Sequence, residues 1–370
     1  MDVVVTGVGL VSALGDLEQT WKGLIEQRSG IRFYQPFLQL EKRPIALIDD
    51  QPAEILSLTR KIALAAIEDA ELKFPLTDCG VVVGSSRSNQ AQWETLAAGQ
   101  GNISQWISTL PNGVSIAVAR LIQSEGIVLA PMAACATGLW AIAQATDLIQ
   151  SGQCQRVVAG AIEAPITPLT LAGFERMGAM AHWGAHPFDL RREGLVLGEG
   201  GALFVLESIE LAQQRGAKIY GRVRGFGLTA DGYHVSAPEP GSRGAIAAVQ
   251  QCLERSQIRA KDIDYIHAHG TATQLNDRNE AFLIDQVFSK HVPVSSTKGA
   301  TGHTLGASGA LGTAVCLMAL QNQVLPPNVG LKECEFDIRI VREARSMHLN
   351  NVLCFSFGFG GQNAVMAFSR

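Results

Sequence analysis

The chain has 370 residues, of which 47% are hydrophobic and 17% are charged, and its formal net charge is −4. A chain of this length and apolarity folds around a large core, in two domains or two fused halves, and is not disordered. The slightly acidic balance argues against a nucleic-acid partner, and Gly, Gln or charge interrupts every apolar run before it could span a membrane.

Short β-rich runs alternate with helical stretches along the chain. Val3–Thr6 is predicted as a strand that ends at Gly7, residues 59–71 as a helix, and Cys79–Val83 as a buried strand closed by Gly84. The further predicted elements are a second buried strand at Ile127–Ala130, a helix at 139–150, and strands at Val157–Gly160 and Leu203–Leu206. This alternation favours a layered α/β fold with buried sheets.

The second part of the chain repeats the pattern of the first. The matching segments are Met1–Leu10 with Lys218–Leu228, Leu129–Gly138 with Val292–Gly302, and Arg156–Ala161 with Asn351–Phe357. The middle pair shares Ala-Thr-Gly before an apolar helix, although Ala and Gly are abundant and a single-copy fold stays open. The shared order of elements suggests a duplicated architecture, for which we expect an N-terminal half at 1–212 and a C-terminal half at 213–370.

Seven cysteines are scattered along the chain without any CxxC pair, so zinc and redox motifs are unsupported. An odd, scattered set of this kind is typical of reduced, cytosolic proteins. The chain begins directly with an apolar strand and lacks the features of a signal peptide, so a cytoplasmic location is expected.

Cys135 is a candidate nucleophile. It lies in the small-residue segment Ala133–Gly138, with an apolar strand before it and a helix after it. A thiol at the start of a helix faces free N–H groups and the helix dipole, which can lower the pKa of the thiol and stabilise an oxyanion. The alternative of a buried structural cysteine stays open, and it is the interpretation for the other six cysteines.

Two histidines lie next to glycines in predicted turns. His269 precedes Gly270 after a strand-like run, and His303 follows Gly302. Imidazoles beside a thiol suit proton transfer or the polarisation of a carbonyl group. His267 and His269 could instead bind a metal ion, but no carboxylate or cysteine lies nearby at ligand spacing, and His267 can equally be a core residue.

A run of glycine and phenylalanine, Phe355–Gly361, lies near the C-terminus. Its glycines allow turns and can present N–H groups to an anion. The alternative is a glycine-rich strand that ends against the core. The spacing does not fit a dinucleotide-binding fingerprint.

Blocks of residues along the whole chain together identify a family. They are VVVTGVGLVSALG at the start, AACATG at 133–138, PFDLRREGLVLGEG at 187–200, HAHGTATQLND at 267–277, SSTKGATGHTLGASG at 295–309 and FSFGFGGQNA at 355–364. In combination they resemble the β-ketoacyl-[acyl-carrier-protein] synthases of the type I/II branch, which carry a Cys-His-His triad, and synthase II most of all.

The resemblance implies a thiolase-like α/β fold of five layers (αβαβα), built from two duplicated halves with mixed sheets. It implies the decarboxylative condensation of an acyl group, held as a thioester on Cys135, with malonyl-[acyl-carrier protein] in fatty-acid or polyketide elongation. The expected partners are acyl carrier protein and a second copy of the chain in a homodimer. The resemblance implies no cofactor, metal ion, nucleic acid or membrane.

The resemblance also assigns roles to residues. Cys135 matches the nucleophile, and His269 and His303 match the histidines that contact the malonyl carbonyl and stabilise the enolate. Lys298 matches a lysine that tunes the site, and Phe359 a gating residue whose N–H joins that of Cys135 in an oxyanion hole. The expected substrate contacts are Thr271, Thr273, Phe357, Gly360 and Trp140, while Asp277 and Glu280 are expected to hold the region around His269 and Lys298.

The chain departs from the family pattern at several positions. Gly312 stands where the family usually has a glutamate that pairs with the lysine, so Lys298 is expected either to rely on Glu280 or to be less firmly held. Gln362 replaces a threonine near the gate, and Trp140 either shortens an acyl pocket or packs in the core. The region from 32 to 115 is shorter than usual and matches poorly, which leaves the acyl chain length open.

Two other functions fit parts of the pattern. A chain-length-determining partner subunit of a related synthase would have little activity alone, but such subunits generally lack the nucleophile that Cys135 matches. A degradative thiolase or an initiating synthase is disfavoured because His303 stands where initiating enzymes have Asn, and because Cys354 lacks the CxG setting of thiolases.

Overall fold

Fifteen strands and eleven α-helices form in residues 1–288 and 290–370, the part of the chain that this computed structural model describes. The strands are β1 (Val3–Ser12), β2 (Gly15–Asp16), β3 (Arg32–Tyr34), β4 (Arg43–Ile45), β5 (Gly80–Gly84), β6 (Val128–Leu129), β7 (Arg156–Glu163), β8 (Gly200–Ser208), β9 (Gly221–Ala230), β10 (Tyr265–His267), β11 (Val294–Ser295), β12 (Val324–Leu325), β13 (Arg345–Ser346), β14 (Asn351–Gly358) and β15 (Gln362–Ser369). The helices are α1 (Leu17–Ile25), α2 (Ile55–Asp69), α3 (Gln90–Ala97), α4 (Gly113–Ile122), α5 (Thr137–Gln150), α6 (Pro168–Arg176), α7 (Ile209–Gln214), α8 (Arg243–Ser256), α9 (Gln274–Val287), α10 (Lys298–Thr301) and α11 (Ser308–Asn322). None of the helices in these residues is long and apolar enough to cross a membrane.

The main sheet contains the same strand arrangement twice. In the N-terminal part the order is β1-β8-β7-β5-β6, with antiparallel pairs up to β7 and parallel pairs beyond it. In the C-terminal part β9-β15-β14-β10-β11 follows with the same sequence of antiparallel and parallel pairs. β1 and β9 join the two parts as an antiparallel pair. The repeated segments found in the sequence therefore fall on equivalent strands, and we keep 1–212 and 213–370 as the proposed halves.

The elements form five layers, and three hydrophobic clusters lie between the helices and the sheet. α5 and α11 lie in the middle and bury one face of both parts of the sheet. α2 and α4 cover the other face of the N-terminal strands, and α8 and α9 cover that of the C-terminal strands. Because α11 is apolar all round and buried along nearly its whole length, it is suited to a central layer. This is the predicted thiolase-like αβαβα fold.

The first strand is longer than predicted, and its glycines do not end it. β1 continues to Ser12, past Gly7 and Gly9. Both glycines face α2, where a Cβ at Gly7 would lie 2.6 Å from the Cβ of Ala70 and one at Gly9 would lie 2.6 Å from the backbone nitrogen of Ala66. Glycine at these positions lets the helix pack closely on the strand.

The strand predicted at 127–130 exists but is not buried. β6 has only two residues, Val128 and Leu129, which are 39% and 37% exposed. β6 pairs with β5 alone and forms the outer edge of the sheet. Its apolar sequence therefore marks an exposed edge rather than a core strand.

A buried carboxylate ties the N-terminal strands to α7. Glu207 on β8 accepts hydrogen bonds from Thr6 Oγ1 at 2.7 Å and from Arg156 Nε at 2.7 Å. Arg215 adds bonds from Nε at 2.9 Å and Nη2 at 2.7 Å. The Glu207 side chain is 0% exposed and that of Arg156 is 10% exposed, so neither charge has bulk water as a partner.

We expect Glu207→Ala to lower the free energy of unfolding by about 3–5 kcal/mol, because the substitution leaves the Arg156 guanidinium buried without its partner. Urea unfolding followed by circular dichroism measures this. Glu210→Ala, on the exposed side of α7, is the matched control and should change the value by less than about 0.5 kcal/mol. Equal losses in the two variants would contradict a stabilising role for the network.

Candidate active site

The predicted nucleophile lies in a tight turn between β6 and α5. Ala134 adopts a left-handed conformation, with φ of 46°, which brings the chain sharply into the helix. The Thr137 hydroxyl accepts the Ala133 N–H at 2.9 Å and donates to the Ala134 carbonyl at 2.6 Å, which fixes the turn. Cys135 is thereby held next to the first turn of α5, and it is only 6% exposed.

The hairpin between β14 and β15 closes over this turn. A Cβ at Gly358 would lie 2.8 Å from the Ala133 carbonyl oxygen and 3.0 Å from the Cys135 nitrogen, so glycine is needed for the close approach. The Ser356 hydroxyl donates to the Cys135 carbonyl at 2.9 Å. The backbone N–H of Phe359 lies close enough to the sulfur of Cys135 to lower the pKa of the thiol. The Gly/Phe run is thus a strand that ends in a turn beside the thiol.

Two buried carboxylates hold the loop that carries His269. Glu280 on α9 accepts the backbone N–H of His269 at 2.6 Å and that of the next residue at 2.7 Å. Asp277, one turn earlier on the helix, accepts the N–H groups of Phe188 at 2.7 Å and Ala272 at 3.2 Å. Burial raises the pKa of both carboxyl groups, to about 7 for Glu280. Their acceptor atoms therefore fix backbone rather than face the cavity.

Lys298 lies behind His269. Its Nζ donates to the carbonyl oxygen of His269 and lies 3.4 Å from the Nδ1 atom of the same residue. Since an ammonium group can only donate, Nδ1 is the acceptor and the ring proton is on Nε2. Burial lowers the pKa of Lys298 to about 8, although Glu280 and other nearby anions act in the opposite direction.

His303 meets His269 edge to face. The ring centroids are 5.3 Å apart and the rings are inclined at 82°. His303 Nδ1 lies 2.8 Å from the Ser308 hydroxyl at the start of α11. Burial, and then the charge of Lys298, hold the pKa of both imidazoles well below the usual 6.5. Both rings are therefore neutral at physiological pH.

A cavity of about 280 Å³ joins these groups. Of the residues predicted from the sequence, its lining includes Cys135, His269, His303, Thr271, Thr273, Phe357 and Phe359. The hydroxyl groups of Thr271 and Thr273 are 2.8 Å apart. The structure thus brings a thiol, two imidazoles and two hydroxyls to one enclosed space.

The other predicted residues lie outside the cavity lining. Lys298, Asp277 and Glu280 are buried around the His269 loop, as described above. Gly360 is exposed, and its N–H donates to the Val235 carbonyl at 2.8 Å. Trp140 packs against the central hydrophobic cluster, which is the second of the two alternatives for this residue.

The expectation of a lowered thiol pKa is wrong for the unliganded protein. Burial raises the pKa of Cys135 from an ordinary 9.0 to about 11. The Lys298 charge and the Phe359 N–H lower it, whereas the buried Glu163 raises it. A position at the start of a helix is therefore not sufficient to lower the pKa of this thiol. Removing water from around the thiolate costs more free energy than the local dipoles contribute to its stabilisation.

The sequence reasoning missed several residues around the cavity. Phe174 on α6 stacks on Phe359, with ring centroids 5.9 Å apart. Asp231, just after β9, accepts a hydrogen bond from Asn363 at 2.7 Å and anchors the hairpin turn. The polar turn after β9 could have indicated Asp231, because side chains at strand ends often form sites. No local pattern marks Phe174.

The fold and the cavity are those of a thiolase-like condensing enzyme. Residues 53–212 match the family described as "Beta-ketoacyl synthase, N-terminal domain", and residues 220–332 match "Beta-ketoacyl synthase, C-terminal domain". The chain therefore belongs to the beta-ketoacyl synthase family and is an acyltransferase.

Individual relatives agree with this assignment. The chain is 33% identical over 410 aligned residues to the 3-oxoacyl-[acyl-carrier-protein] synthase 2 of Synechocystis sp., covering 100% of this chain and 98% of the relative. It is similar to the ketosynthase of the AntDE:AntF complex, a type II polyketide system solved with its acyl carrier protein (TM-score 0.94, 26% identity, 100% and 99% of the two chains). It is also similar to the ishigamide ketosynthase/chain length factor (TM-score 0.92, 27% identity, 100% and 98% of the two chains).

The raised pKa predicts how the reactivity of Cys135 depends on pH. Only the thiolate is alkylated, so the rate with iodoacetamide should rise about tenfold per pH unit between pH 7 and pH 9. Mass spectrometry of the Cys135 peptide follows the reaction. The Cys135→Ser variant lacks this thiol and gives the background signal for the peptide. A rate that levels off above pH 7 would indicate a thiolate already formed in the resting protein.

Proposed function

We propose that this protein condenses an acyl group, held as a thioester on Cys135, with malonyl-[acyl-carrier protein], and releases carbon dioxide and a β-ketoacyl-[acyl-carrier protein]. The observation that carries the proposal is the meeting of the Cys135 thiol with the neutral rings of His269 and His303 in one cavity. No side chain that could act as a strong base is needed, because loss of carbon dioxide creates the carbon nucleophile. The geometry suits this reaction better than one that removes a proton from carbon.

In the first half-reaction the sulfur of Cys135 attacks the carbonyl carbon of the acyl thioester on the carrier protein. The carbon–sulfur bond to the carrier breaks, and the thiol proton ends on the departing carrier sulfur. The Phe359 N–H lies beside the Cys135 sulfur, where it could reach the carbonyl oxygen of a bound acyl group. Together with the N–H of Cys135 it would form an oxyanion hole, in which one donor can contribute about 3–4 kcal/mol.

In the second half-reaction the malonyl thioester carbonyl accepts hydrogen bonds from the two imidazoles. The carbon–carboxylate bond breaks, carbon dioxide leaves, and its electron pair forms an enolate. Nε2–H of His269 is fixed as a donor by Lys298, and Ser308 can fix His303 in the same tautomer by donating to its Nδ1. The enolate carbon then attacks the acyl-Cys135 carbonyl, and the thiolate leaves.

Fatty-acid and polyketide elongation share this chemistry, and the relatives include both kinds of enzyme. The acyl carrier protein is the proposed partner, since a similar ketosynthase was solved in complex with one. The cytoplasmic location expected from the family stays a prediction.

We expect acyl-[acyl-carrier protein] to add one acyl group to the wild-type chain and none to Cys135→Ala, because Cys135 is the only cysteine among the described residues that line the cavity. Intact-mass spectrometry measures the adduct, and β-ketoacyl product should disappear with it. Cys334→Ser, which removes the partly exposed cysteine, is the control and should retain both signals.

The same assay, performed on the chain alone, separates the two functions that the sequence left open. Activity without a second subunit supports the synthase. A chain that takes up no acyl group of any length, but restores activity to a related synthase, would instead support a chain-length-determining subunit.

A second copy of the chain is the proposed occupant of the open edge at β6. Val128, Leu129 and the nearby Met132 are apolar and between 37% and 57% exposed, and an edge strand offers unpaired backbone groups. A copy related by twofold symmetry would present the same strand in antiparallel orientation. The edge lies directly before the Cys135 turn, so pairing would also support the site.

We expect the purified chain to be a homodimer by size-exclusion chromatography with light scattering, and Leu129→Asp to convert it to a monomer by placing a charge in the interface. Leu190→Asp changes an equally apolar residue, 52% exposed in a loop, and should leave the dimer intact. A wild-type chain that is monomeric at micromolar concentration would contradict the proposal.

A further inference from the structure

A buried imidazole and a buried thiol fill the space beside Gly312. A Cβ on Gly312 would lie 2.7 Å from His267 Nδ1 and 2.8 Å from Cys354 Sγ. Both distances are too short for real atoms, so no other residue fits at 312 unless both side chains move. The departure from the family glutamate is therefore coupled to His267 and Cys354.

His267 connects the two segments that carry His269 and Lys298. It is 2% exposed, lies two residues before His269, and pairs with Cys354 in the parallel register of β10 and β14. Its Nε2 lies 3.3 Å from the hydroxyl of Thr297, the residue directly before Lys298. Its Nδ1 lies 3.9 Å from Cys354 Sγ. A change in this ring would thus alter the positions of both segments.

The Cys354 thiol lies in the electrostatic field of the same groups. Its Sγ lies 3.8 Å from the Gly309 carbonyl oxygen, and the neighbouring Cys316, His267 and Lys298 lower the pKa of the thiol against the effect of burial. In return, a charge on Cys354 favours the protonated form of Lys298, as do Glu280 and Cys135. Cys354 is thus linked electrostatically to the lysine, and it lies against position 312, where the family usually has a carboxylate.

We propose that His267 and Cys354 are positioning residues that replace the glutamate usually present at position 312, and that they hold Lys298 and His269 in place for malonyl decarboxylation. The inference rests on the proposed function, since it assigns the pair to one half-reaction of it. Neither residue belongs to the cavity lining. They act through the ammonium group of Lys298, which fixes the His269 ring.

The two half-reactions separate a positioning role from simple packing. Acyl transfer to Cys135, measured by intact mass, does not use the His269 ring, whereas carbon dioxide release from malonyl-[acyl-carrier protein] does. We expect His267→Asn and Cys354→Ala to slow carbon dioxide release at least about tenfold, which is about 1.4 kcal/mol, while acyl transfer changes less than about twofold. Cys354→Ser keeps a small polar group and should retain more activity than Cys354→Ala.

Cys252→Ala is the matched control, because Cys252 is an equally buried thiol on α8 and does not line the cavity. It should lower the melting temperature and leave both half-reactions unchanged. Loss of both half-reactions in equal measure in the His267 and Cys354 variants would overturn the proposal and leave these residues as packing alone. A wild-type chain that performs neither half-reaction would overturn the proposed function itself.

A compensating variant tests the replacement directly. Gly312→Glu alone should abolish carbon dioxide release, because the new side chain collides with His267 and Cys354. The combination Gly312→Glu/His267→Ala/Cys354→Ala removes both collisions and returns a carboxylate to this place. It should release carbon dioxide faster than His267→Ala/Cys354→Ala, and an equal or lower rate would contradict the replacement.

Discussion

The close backbone contact between α5 and α11 is the constraint on which the site depends. A Cβ at Gly138 would lie 2.6 Å from the backbone nitrogen of Ala310, and a Cβ at Gly309 would lie 2.8 Å from the Leu139 side chain. Without side chains at these two positions, the starts of the helices come together in the central layer. Cys135 directly precedes one helix and His303 lies shortly before the other, so the contact sets the distance between thiol and imidazole.

Burial then determines what these groups can do. Water is largely excluded from Cys135, His269 and His303, and the two imidazoles are kept neutral by that exclusion and by the Lys298 charge. A neutral ring with its proton on Nε2 donates a hydrogen bond without delivering a proton, which suits stabilisation of an enolate. The same burial raises the pKa of the thiol. The arrangement therefore keeps the imidazoles neutral but does not stabilise a thiolate at Cys135 in the resting protein.

The sequence predicted the fold and the members of the cavity well where short motifs carried the information. Cys135, His269 and His303 each lie among small residues in a turn, and local chemistry indicated them. It failed where distant segments meet. The Gly7 position was misinterpreted because α2, which packs on it, lies some fifty residues later in the chain. The place of Phe174 at the cavity likewise depends on contacts between distant segments, and the exposure of β6 depends on the absence of such contacts. No local pattern encodes either of them.

The duplication explains why only one half carries the proposed nucleophile, Cys135. When the two Ala-Thr-Gly segments are matched, Gly299 takes the place of Cys135 in the second half. A Cβ at Gly299 would overlap the carbonyl group of Val329, and it would lie 3.2 Å from the Ala185 oxygen. No thiol could be held there, because the 185 and 329 segments cover this turn. The second half instead uses its equivalent turn to bury Lys298, and the lysine orients a histidine toward the thiol of the first half. The two equivalent turns thus have different roles: the first holds Cys135 and the second holds Lys298. The site needs both turns, which meet across the central layer.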